Sequence, residues 1–272
     1  MDGAAFGLTE VRVFMKEMFE KNWDYSRHAE FYRYRPNYAP KAIDMLMSYV
    51  GIRLLDAAYR VVDVGGGDGN LSALLIERGL KNITVIEPND VMRSIGEARL
   101  KKGVKWIKAC STATGLPTGE ADWVVFGSSF NVADRDESLK ETSRILKKGG
   151  YFSCMWNHRD LHHPIQKAAE EIILSIVPEY ERGVRREDQR SFLEKHATDF
   201  ENICFVEVDF SVNRTIDEYI LAWKSVKNKY WDLATEEGLK LFGTICDKMR
   251  TSLPEKFQVR YTTRAWTMRK KF

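Results

Sequence analysis

Short apolar runs alternate with amphipathic stretches through the middle of this 272-residue chain. The runs have the length and composition of strands buried on both faces of a sheet, and they lie at 60–64, 83–87, 104–108, 122–126 and 151–156. The stretches between them have helical spacing and close on glycine; three are clear, at 70–79, 89–103 and 136–150. This alternation predicts an α/β fold with a doubly wound, mainly parallel sheet and right-handed crossovers.

A glycine-rich turn follows the first of these strands. In parallel sheets the ligand lies at the carboxyl ends of the strands, and the sequence there reads VVDVGGGDG, residues 61–69. Gly65, Gly67 and Gly69 permit a tight turn and a close approach of the backbone to a ligand. Glu87 ends the second strand and is an acceptor suited to two vicinal ribose hydroxyls. A plain turn with a solvated acid is the alternative, and the order strand, glycines, helix, strand, acid favours a nucleotide site.

The spacing of the glycines separates several nucleotide classes. The dinucleotide pattern that begins at Gly65 requires a sixth-position glycine, where this chain has Asn70. No lysine or hydroxyl residue follows in the P-loop positions, so a P-loop is excluded. Asp63 stands two residues before the glycines, which suits a cationic or amino-bearing ligand better than a pyrophosphate.

Composition excludes other classes. The 42 basic and 39 acidic residues leave a net charge of +3, which gives no global field for a polyanion. Charged residues interrupt the first twenty positions, and no apolar run approaches the roughly 20 residues that span a bilayer. The four cysteines have no metal-finger spacing, and scattered cysteines of this kind are usual in cytoplasmic proteins. We therefore expect a cytoplasmic protein without a membrane or nucleic-acid partner.

The motifs resemble those of the class I S-adenosylmethionine (SAM) dependent methyltransferases, in particular the small-molecule, type 11-like group. VVDVGGGDG is similar to the glycine motif of that family, VIEP (85–88) to its ribose-binding acid, and STATGLP (111–117) to its adenine segment. RILKKGG (144–150) and the N-terminal YRYRPNY (32–38) are similar to further family segments. The resemblance implies a Rossmann-like methyltransferase sheet of seven strands, the last two at 201–210 and 256–269.

The same resemblance implies how the chain is organised. Residues 1–272 would form one methyltransferase domain with its SAM-binding core at 58–160. A helical cap would come from 1–50 and from insertions at 161–200 and 215–252. Aromatic residues support this division, since 4 of 32 rings fall in 60–150, against 9 in 1–38 and 11 in 204–272.

The resemblance also implies a cofactor site for SAM and its product S-adenosylhomocysteine (SAH). Asp63 and the glycines would surround the methionyl part, Ser128 its sulfonium end, and Arg35 and Tyr38 would close the site. Glu87 would hold the ribose, with Asn89 and Met92 along the ribose and adenine and Thr112 and Ala113 at the adenine edge. The cofactor residues implied are Arg35, Tyr38, Asp63, Gly65, Gly66, Gly67, Gly69, Glu87, Pro88, Asn89, Met92, Thr112, Ala113 and Ser128.

Methyl transfer is an in-line displacement, so the protein mainly aligns the acceptor and excludes water. A base is needed only for a poor nucleophile, and His158 and Asn131 are the catalytic candidates, with structural turn roles as the alternative. A metal site from His158, His162 and His163 is disfavoured because no carboxylate or thiolate completes it, so no metal is expected. The candidates for acceptor binding are Trp23, Tyr25, Tyr32, Asn157 and Trp223, for which helix packing is the alternative.

Three functions remain open on the sequence. The favoured one is methyl transfer to an O, N or C atom of a small-molecule acceptor, in specialised metabolism. The alternatives are a tRNA or protein methyltransferase and a non-catalytic SAM-binding protein. A macromolecular acceptor is disfavoured because the chain has no long basic stripe and has GSSF after the fourth strand, where an NPPY-type motif would stand. The sequence does not indicate the oligomeric state.

Overall fold

The computed structural model describes residues 24–52, 58–181 and 187–272. Within these residues seven strands form one sheet in the order β3-β2-β1-β4-β5-β7-β6. The strands are β1 (Arg60–Val64), β2 (Asn82–Ile86), β3 (Val104–Ile107), β4 (Ala121–Gly127), β5 (Leu146–Arg159), β6 (Phe200–Thr215) and β7 (Lys256–Lys270). The first five are parallel, and β7 runs antiparallel between β5 and β6. The predicted seven-stranded, mainly parallel fold is confirmed.

The helices cover both faces of the sheet and one end of it. They are α1 (Pro40–Tyr49), α2 (Asn70–Glu77), α3 (Asp90–Arg99), α4 (Arg135–Ile145), α5 (Pro164–Ile176), α6 (Arg190–Leu193), α7 (Ile216–Lys224) and α8 (Glu236–Ser252). Two 3-10 helices add to these, at Ala29–Tyr34 and Glu194–His196. None of the helices in the described part combines the length and the apolar character that crossing a bilayer requires.

Three apolar clusters hold these layers together. Two lie on opposite faces of the sheet, because alternate residues of its buried strands point to opposite sides: Val61 and Val125 pack on one face, Val62 and Val124 on the other. The third cluster joins α5, α7 and α8 to the ends of β6 and β7, and its centre contains Trp223 and Trp231. The late segments therefore have an apolar core of their own beside the sheet.

One helix is shorter than its sequence pattern predicts. The helix expected over 136–150 ends at Ile145, and Leu146 begins β5 in extended conformation. Leu146 pairs with Ala121, and the register shifts before Tyr151 pairs with Trp123. Pairing with β4 thus outweighs the helical preference of the residues after Ile145.

The strand order places a ligand site between β1 and β4. The chain crosses from one side of β1 to the other at this point, since β2 and β3 lie on one side and β4 and β5 on the other. Ligands in open α/β sheets bind at the carboxyl ends of the strands at such a switch point. Asp63 near the end of β1 and Gly127 at the end of β4 lie at this edge.

Candidate functional site

The glycine turn after β1 brings the backbone close to its neighbours. Gly65 and Gly67 have φ values of +66° and +61°, in the left-handed region that favours glycine. A Cβ atom at Gly65 would lie 2.6 Å from Cβ of Ser129, and one at Gly67 would lie 3.0 Å from Cε of Met92. A side chain at Gly65 would collide with Ser129, and one at Gly67 would crowd Met92, so only glycine fits this close approach of the turn to its neighbours.

Asp63 lies beside this turn. Its side chain is completely buried, and Oδ2 accepts a 2.7 Å hydrogen bond from the Ser72 hydroxyl. Oδ1 has no hydrogen-bond partner among the described residues. Burial raises the pKa of Asp63 from 3.8 to about 6, although the hydrogen bonds from Ser72 lower it. A buried carboxylate oxygen without a partner is costly, so this site suits a ligand that brings a donor, preferably a cationic one.

Glu87 is fastened to the glycine turn from the end of β2. Oε2 accepts a 2.8 Å bond from the Gly67 N–H, and Oε1 accepts one of the same length from the Asn89 N–H. The residue is 7% exposed, and its burial raises the pKa of Glu87 to about 7. The two hydrogen bonds lower this pKa, but the effect of burial is larger. Each carboxylate oxygen has a second lone pair, so Glu87 retains acceptor capacity for hydroxyl groups.

The residues implied for the adenine side lie around α3 and the loop after β3. Asn89 is the N-cap of α3, where its side-chain oxygen accepts from the Met92 N–H at 2.9 Å. Pro88 and Met92 are buried, Thr112 is half-buried with a 3.2 Å contact to Cys110 Sγ, and Ala113 is exposed.

Glu141 on α4 secures this loop, which the sequence analysis did not anticipate. Its Oε1 accepts from the backbone N–H of Thr114 at 2.8 Å and from the Thr114 hydroxyl at 2.6 Å. Arg144 donates to both oxygens of Glu141 and to the carbonyl of Leu116. The partners are 27 residues apart, and no local pattern connects them.

A cavity of about 460 Å³ opens from the glycine turn toward the helical layer. Its walls include part of the predicted set: Tyr32, Arg35, Tyr38, Asp63, Gly65, Gly66, Gly67, Ser128, Asn131, Asn157 and His158. Several predicted cofactor residues lie outside its walls, namely Gly69, Glu87, Pro88, Asn89, Met92, Thr112 and Ala113. The structure therefore brings the methionyl-side set together around one cavity, and Glu87 touches that set through Gly67.

Tyr38 and Ser128 meet in the wall of this cavity. Their hydroxyl groups lie 2.9 Å apart, and Ser128 has φ of +60°, which is unusual for a residue with a side chain. Burial raises the pKa of Tyr38 well above its ordinary value, so the phenol stays protonated. A Cβ atom at Gly127 would lie 2.9 Å from the Tyr38 hydroxyl oxygen, so this glycine keeps the contact open.

Arg35 is oriented by Ser225, the residue that follows α7. Its guanidinium donates to the hydroxyl and the carbonyl of Ser225 at 2.9 and 2.7 Å, and it lies 4.0 Å from the Tyr32 ring centre. Tyr25 contacts the edge of Tyr32 and does not line the cavity. These contacts tie the N-terminal segment to the end of α7.

The two catalytic candidates lie at the ends of β4 and β5. His158 is 8% exposed and lines the cavity. Asn131 also lines it, and its side-chain oxygen accepts from the Trp156 indole at 3.1 Å. His158 is thus placed beside the space beyond Ser128, while part of Asn131 is already used in packing the turn.

Two predicted acceptor-binding residues have structural roles. Trp223 is 1% exposed at the centre of the cap core and does not line the cavity; Arg159, which does, covers its ring at 3.5 Å. Trp223 thus packs between helices, which is the alternative that the sequence analysis left open for it, and its role in acceptor binding stays a prediction. Asn157 lines the cavity, but it donates to the carbonyls of Pro36 and Asn37 and accepts from Thr263. Trp23 lies outside the described residues.

The walls of the cavity also contain residues that the sequence analysis missed. Tyr180, Tyr261, Glu170 and Arg159 line the cavity, together with Lys227. They come from four separate segments, so only the tertiary structure brings them together. Ser72, by contrast, had a signal, because it is a polar residue among the apolar residues of the first turn of α2. No group of three or more metal-ligating side chains occurs within the described ranges.

Comparison with known proteins supports a specific family. Residues 62–154 match the family model described as a methyltransferase domain. This segment belongs to the methyltransferase domain family. The prediction of a class I SAM-dependent methyltransferase is confirmed at the level of the family, and this membership supports SAM as the cofactor.

Relatives by sequence cover only part of the molecule. An uncharacterized methyltransferase of Mycobacterium tuberculosis is 33% identical over 130 residues, which cover 47% of this chain and 49% of the relative. A ubiquinone/menaquinone biosynthesis C-methyltransferase of Rubrivivax gelatinosus is 31% identical over 110 residues, covering 39% and 43%. The chain thus spans about half the length, or less, of these curated relatives.

Solved structures support the fold over most of the chain. YcgJ of Bacillus subtilis superposes with a TM-score of 0.54 at 13% identity, covering 86% of this chain and 100% of its own. The [4+2]-cyclase SpnF superposes with a TM-score of 0.53 at 18% identity, covering 85% and 82%. At such identities the likeness concerns the fold alone, and the example of a cyclase shows why the reaction must be argued from the site.

Proposed function

We propose that this protein transfers the methyl group of SAM to an O, N or C atom of a small-molecule acceptor. The observation that carries the proposal is Asp63, a fully buried carboxylate that lines the cavity beside Gly65, Gly66 and Gly67 and whose Oδ1 has no hydrogen-bond partner among the described residues. The ammonium group of the methionyl part of SAM supplies the donor and the positive charge that this oxygen lacks. These residues therefore fit the cofactor on their own chemistry.

The remaining cofactor contacts follow from the arrangement of the loops. Glu87 is rigidly held by two backbone N–H groups and is proposed to accept from the ribose hydroxyls. Met92 and the loop that contains Thr112 and Ala113 are proposed to border the adenine. Ser128 and Tyr38 are proposed to lie at the sulfonium end, where their paired hydroxyls fix the position of the cofactor relative to β4.

The acceptor is proposed to lie in the part of the cavity beyond Ser128. The whole cavity, including the side proposed for the cofactor, has a volume of about 460 Å³, which is within the range of about 300–1,000 Å³ that is usual for small-molecule sites. Residues of the N-terminal segment and of the two late segments line the cavity, and we propose that they form a cap over the acceptor, which favours a small molecule over a protein or RNA. The single-domain organisation with this cap is part of the proposal.

The chemistry divides simply between cofactor and protein. SAM supplies an activated methyl group on a sulfonium, so the protein needs to align the acceptor and exclude water. His158, buried beside the acceptor space, is proposed to take the proton of a hydroxyl or carbon acid. The Rubrivivax relative is named for ubiquinone and menaquinone biosynthesis, which supports a role of this protein in small-molecule biosynthesis. A role in specialised metabolism and a cytoplasmic location are proposed from the sequence.

Two measurements test this proposal. SAH should raise the melting temperature of the purified protein and NAD should not, because only ligands of the folded state stabilise it. Methyl-labelled SAM, incubated with the protein and separately with a metabolite extract, tRNA and a protein extract, should label the metabolite fraction. Stabilisation by NAD alone, or label confined to tRNA or protein, would contradict the proposal. Binding of SAH without transfer to any fraction would favour a non-catalytic SAM-binding protein.

A further inference from the structure

A second groove of about 600 Å³ adjoins the cavity and is lined by four arginines. Arg33 and Arg35 come from the N-terminal segment, Arg99 from the end of α3, and Arg214 from the end of β6. We call it the arginine groove. It shares Arg35, Pro36, Asn37, Tyr38, Asp68 and Asn70 with the cavity, so the two spaces lie on either side of, or along, a common wall.

Three of these arginines are oriented by neutral groups. Arg33 donates to the Tyr34 hydroxyl at 2.9 Å, and Arg214 donates to the Tyr34 carbonyl at 3.2 Å. Arg35 is held by Ser225, as described above. In the part of the chain that the structure describes, no carboxylate oxygen lies within 4.0 Å of these three guanidinium groups.

The fourth arginine provides the contrast. Arg99 lies 3.5 Å from the buried carboxylate of Asp68 and donates to Asn70 at 2.6 Å. Asp68 therefore compensates positive charge at this end of the groove, chiefly that of Arg99 and in part that of Arg35, since both arginines lower the pKa of Asp68 against its burial. Arg33 and Arg214 contact the two ends of Tyr34 and both line the groove, so their charges would favour an anion in the groove electrostatically.

The kind of anion follows from the geometry of the donors. A guanidinium group has five N–H donors in a fixed fork, which matches the oxygens of a carboxylate or a phosphate. Several arginines from three separate segments exceed what one carboxylate accepts, whereas a phosphate or diphosphate has enough oxygens and charge for all of them. We infer that the arginine groove binds the phosphate or diphosphate group of a phosphorylated acceptor whose remainder extends into the cavity.

This inference rests on the proposed function for the identity of the acceptor, but the anion site can be tested by itself. Inorganic pyrophosphate is the probe, and its binding is measured by isothermal titration calorimetry at low salt. The double variant R33Q/R214Q removes the two charges that share Tyr34. The control variant K101Q/K102Q removes two exposed charges from the loop after α3, outside the groove.

Pyrophosphate should bind the unaltered protein, and its affinity for R33Q/R214Q should be lower by about tenfold or more, because hydrogen bonds to charged groups are lost. The control should bind within about twofold of the unaltered protein. SAH affinity and the melting temperature, measured on all three proteins, verify that each remains folded. An R33Q/R214Q variant that binds SAH and retains its pyrophosphate affinity would overturn the inference, as would an equal loss in the control.

Two further outcomes separate the inference from its alternatives. A short single-stranded RNA that binds more tightly than pyrophosphate and loses affinity in R33Q/R214Q would overturn the small-molecule assignment of the groove. Failure of SAH to bind the unaltered protein would count against the proposed function and not against the anion site. Pyrophosphate binding that depends on the two arginines would support the site in that case as well.

Discussion

Replacing Asp63 by asparagine should weaken the binding of the cofactor and stabilise the ligand-free protein. Asp63 is fully buried, and burial raises its pKa from 3.8 to about 6. Because the folded state holds the proton more tightly than the unfolded state, the stability contribution of this group falls as the pH rises from about 4 to about 6, then levels off. At 1.36 kcal/mol per pKa unit, the ionised carboxylate destabilises the free protein by about 3 kcal/mol at pH 8.

The asparagine variant removes this destabilisation but introduces a buried amide that lacks one partner. The unpaired amide costs about 1–2 kcal/mol and so cancels part of the gain of about 3 kcal/mol from removing the charge. We therefore expect D63N to raise the free energy of unfolding by about 1–2 kcal/mol at pH 8 and by less at pH 5. SAH should bind about 10- to 100-fold more weakly, because a charge-assisted bond to its ammonium group is lost. Urea denaturation and calorimetric titration with SAH measure the two effects on the same protein.

Ser72→Ala is the matched control. It keeps the carboxylate and removes the hydrogen bond that lowers the pKa of Asp63, so the decline of SAH affinity on acidification should begin at a higher pH than in the unaltered protein. An unchanged SAH dissociation constant in D63N would refute the assignment of Asp63 to the ammonium group. A loss of stability at pH 8 with normal SAH binding would refute the electrostatic reasoning as well.

Three other predictions concern Glu87, Glu141 and Trp223. E87Q should weaken SAH binding by about 1.5–3 kcal/mol in calorimetric titrations. Because the pKa of Glu87 is about 7, the SAH affinity of the unaltered protein should fall below that pH, and the affinity of E87Q should not. Equal affinities of the two proteins would show that Glu87 is not at the ribose. E141Q should raise the KM for SAM about threefold to tenfold in steady-state kinetics with little change in kcat. The substitution loosens the loop that contains Thr112 and Ala113 but does not change the residues proposed to lie near the methyl group. An effect on kcat alone would contradict this role. W223F should lower the free energy of unfolding, measured by urea denaturation, by about 1–3 kcal/mol and leave the SAH affinity unchanged. Normal stability together with weakened ligand binding would instead indicate that Trp223 contacts the acceptor.

Much of the fold was predictable because its signals are local. Each central strand is an apolar run short enough to be buried on both faces, and each helix between them has its own spacing and end signals. The glycine turn and the acid at the end of β2 follow from the same local patterns. Where local preference met strand pairing, as in residues 146–150, the prediction was wrong, since the bonds to β4 are formed by residues distant in the sequence.

The sequence by itself determined that a glycine turn, a buried acid and a second acid lie at one edge of a parallel sheet, because strand direction and alternation fix which residues share that edge. Only the tertiary structure decided which side chains surround the cavity. Contacts between segments far apart in the chain bury Trp223 in the third apolar cluster, hold Glu141 at the loop after β3 and bring the four arginines to one groove. Such contacts depend on packing and charge in three dimensions, for which no spacing in a single sequence gives a signal.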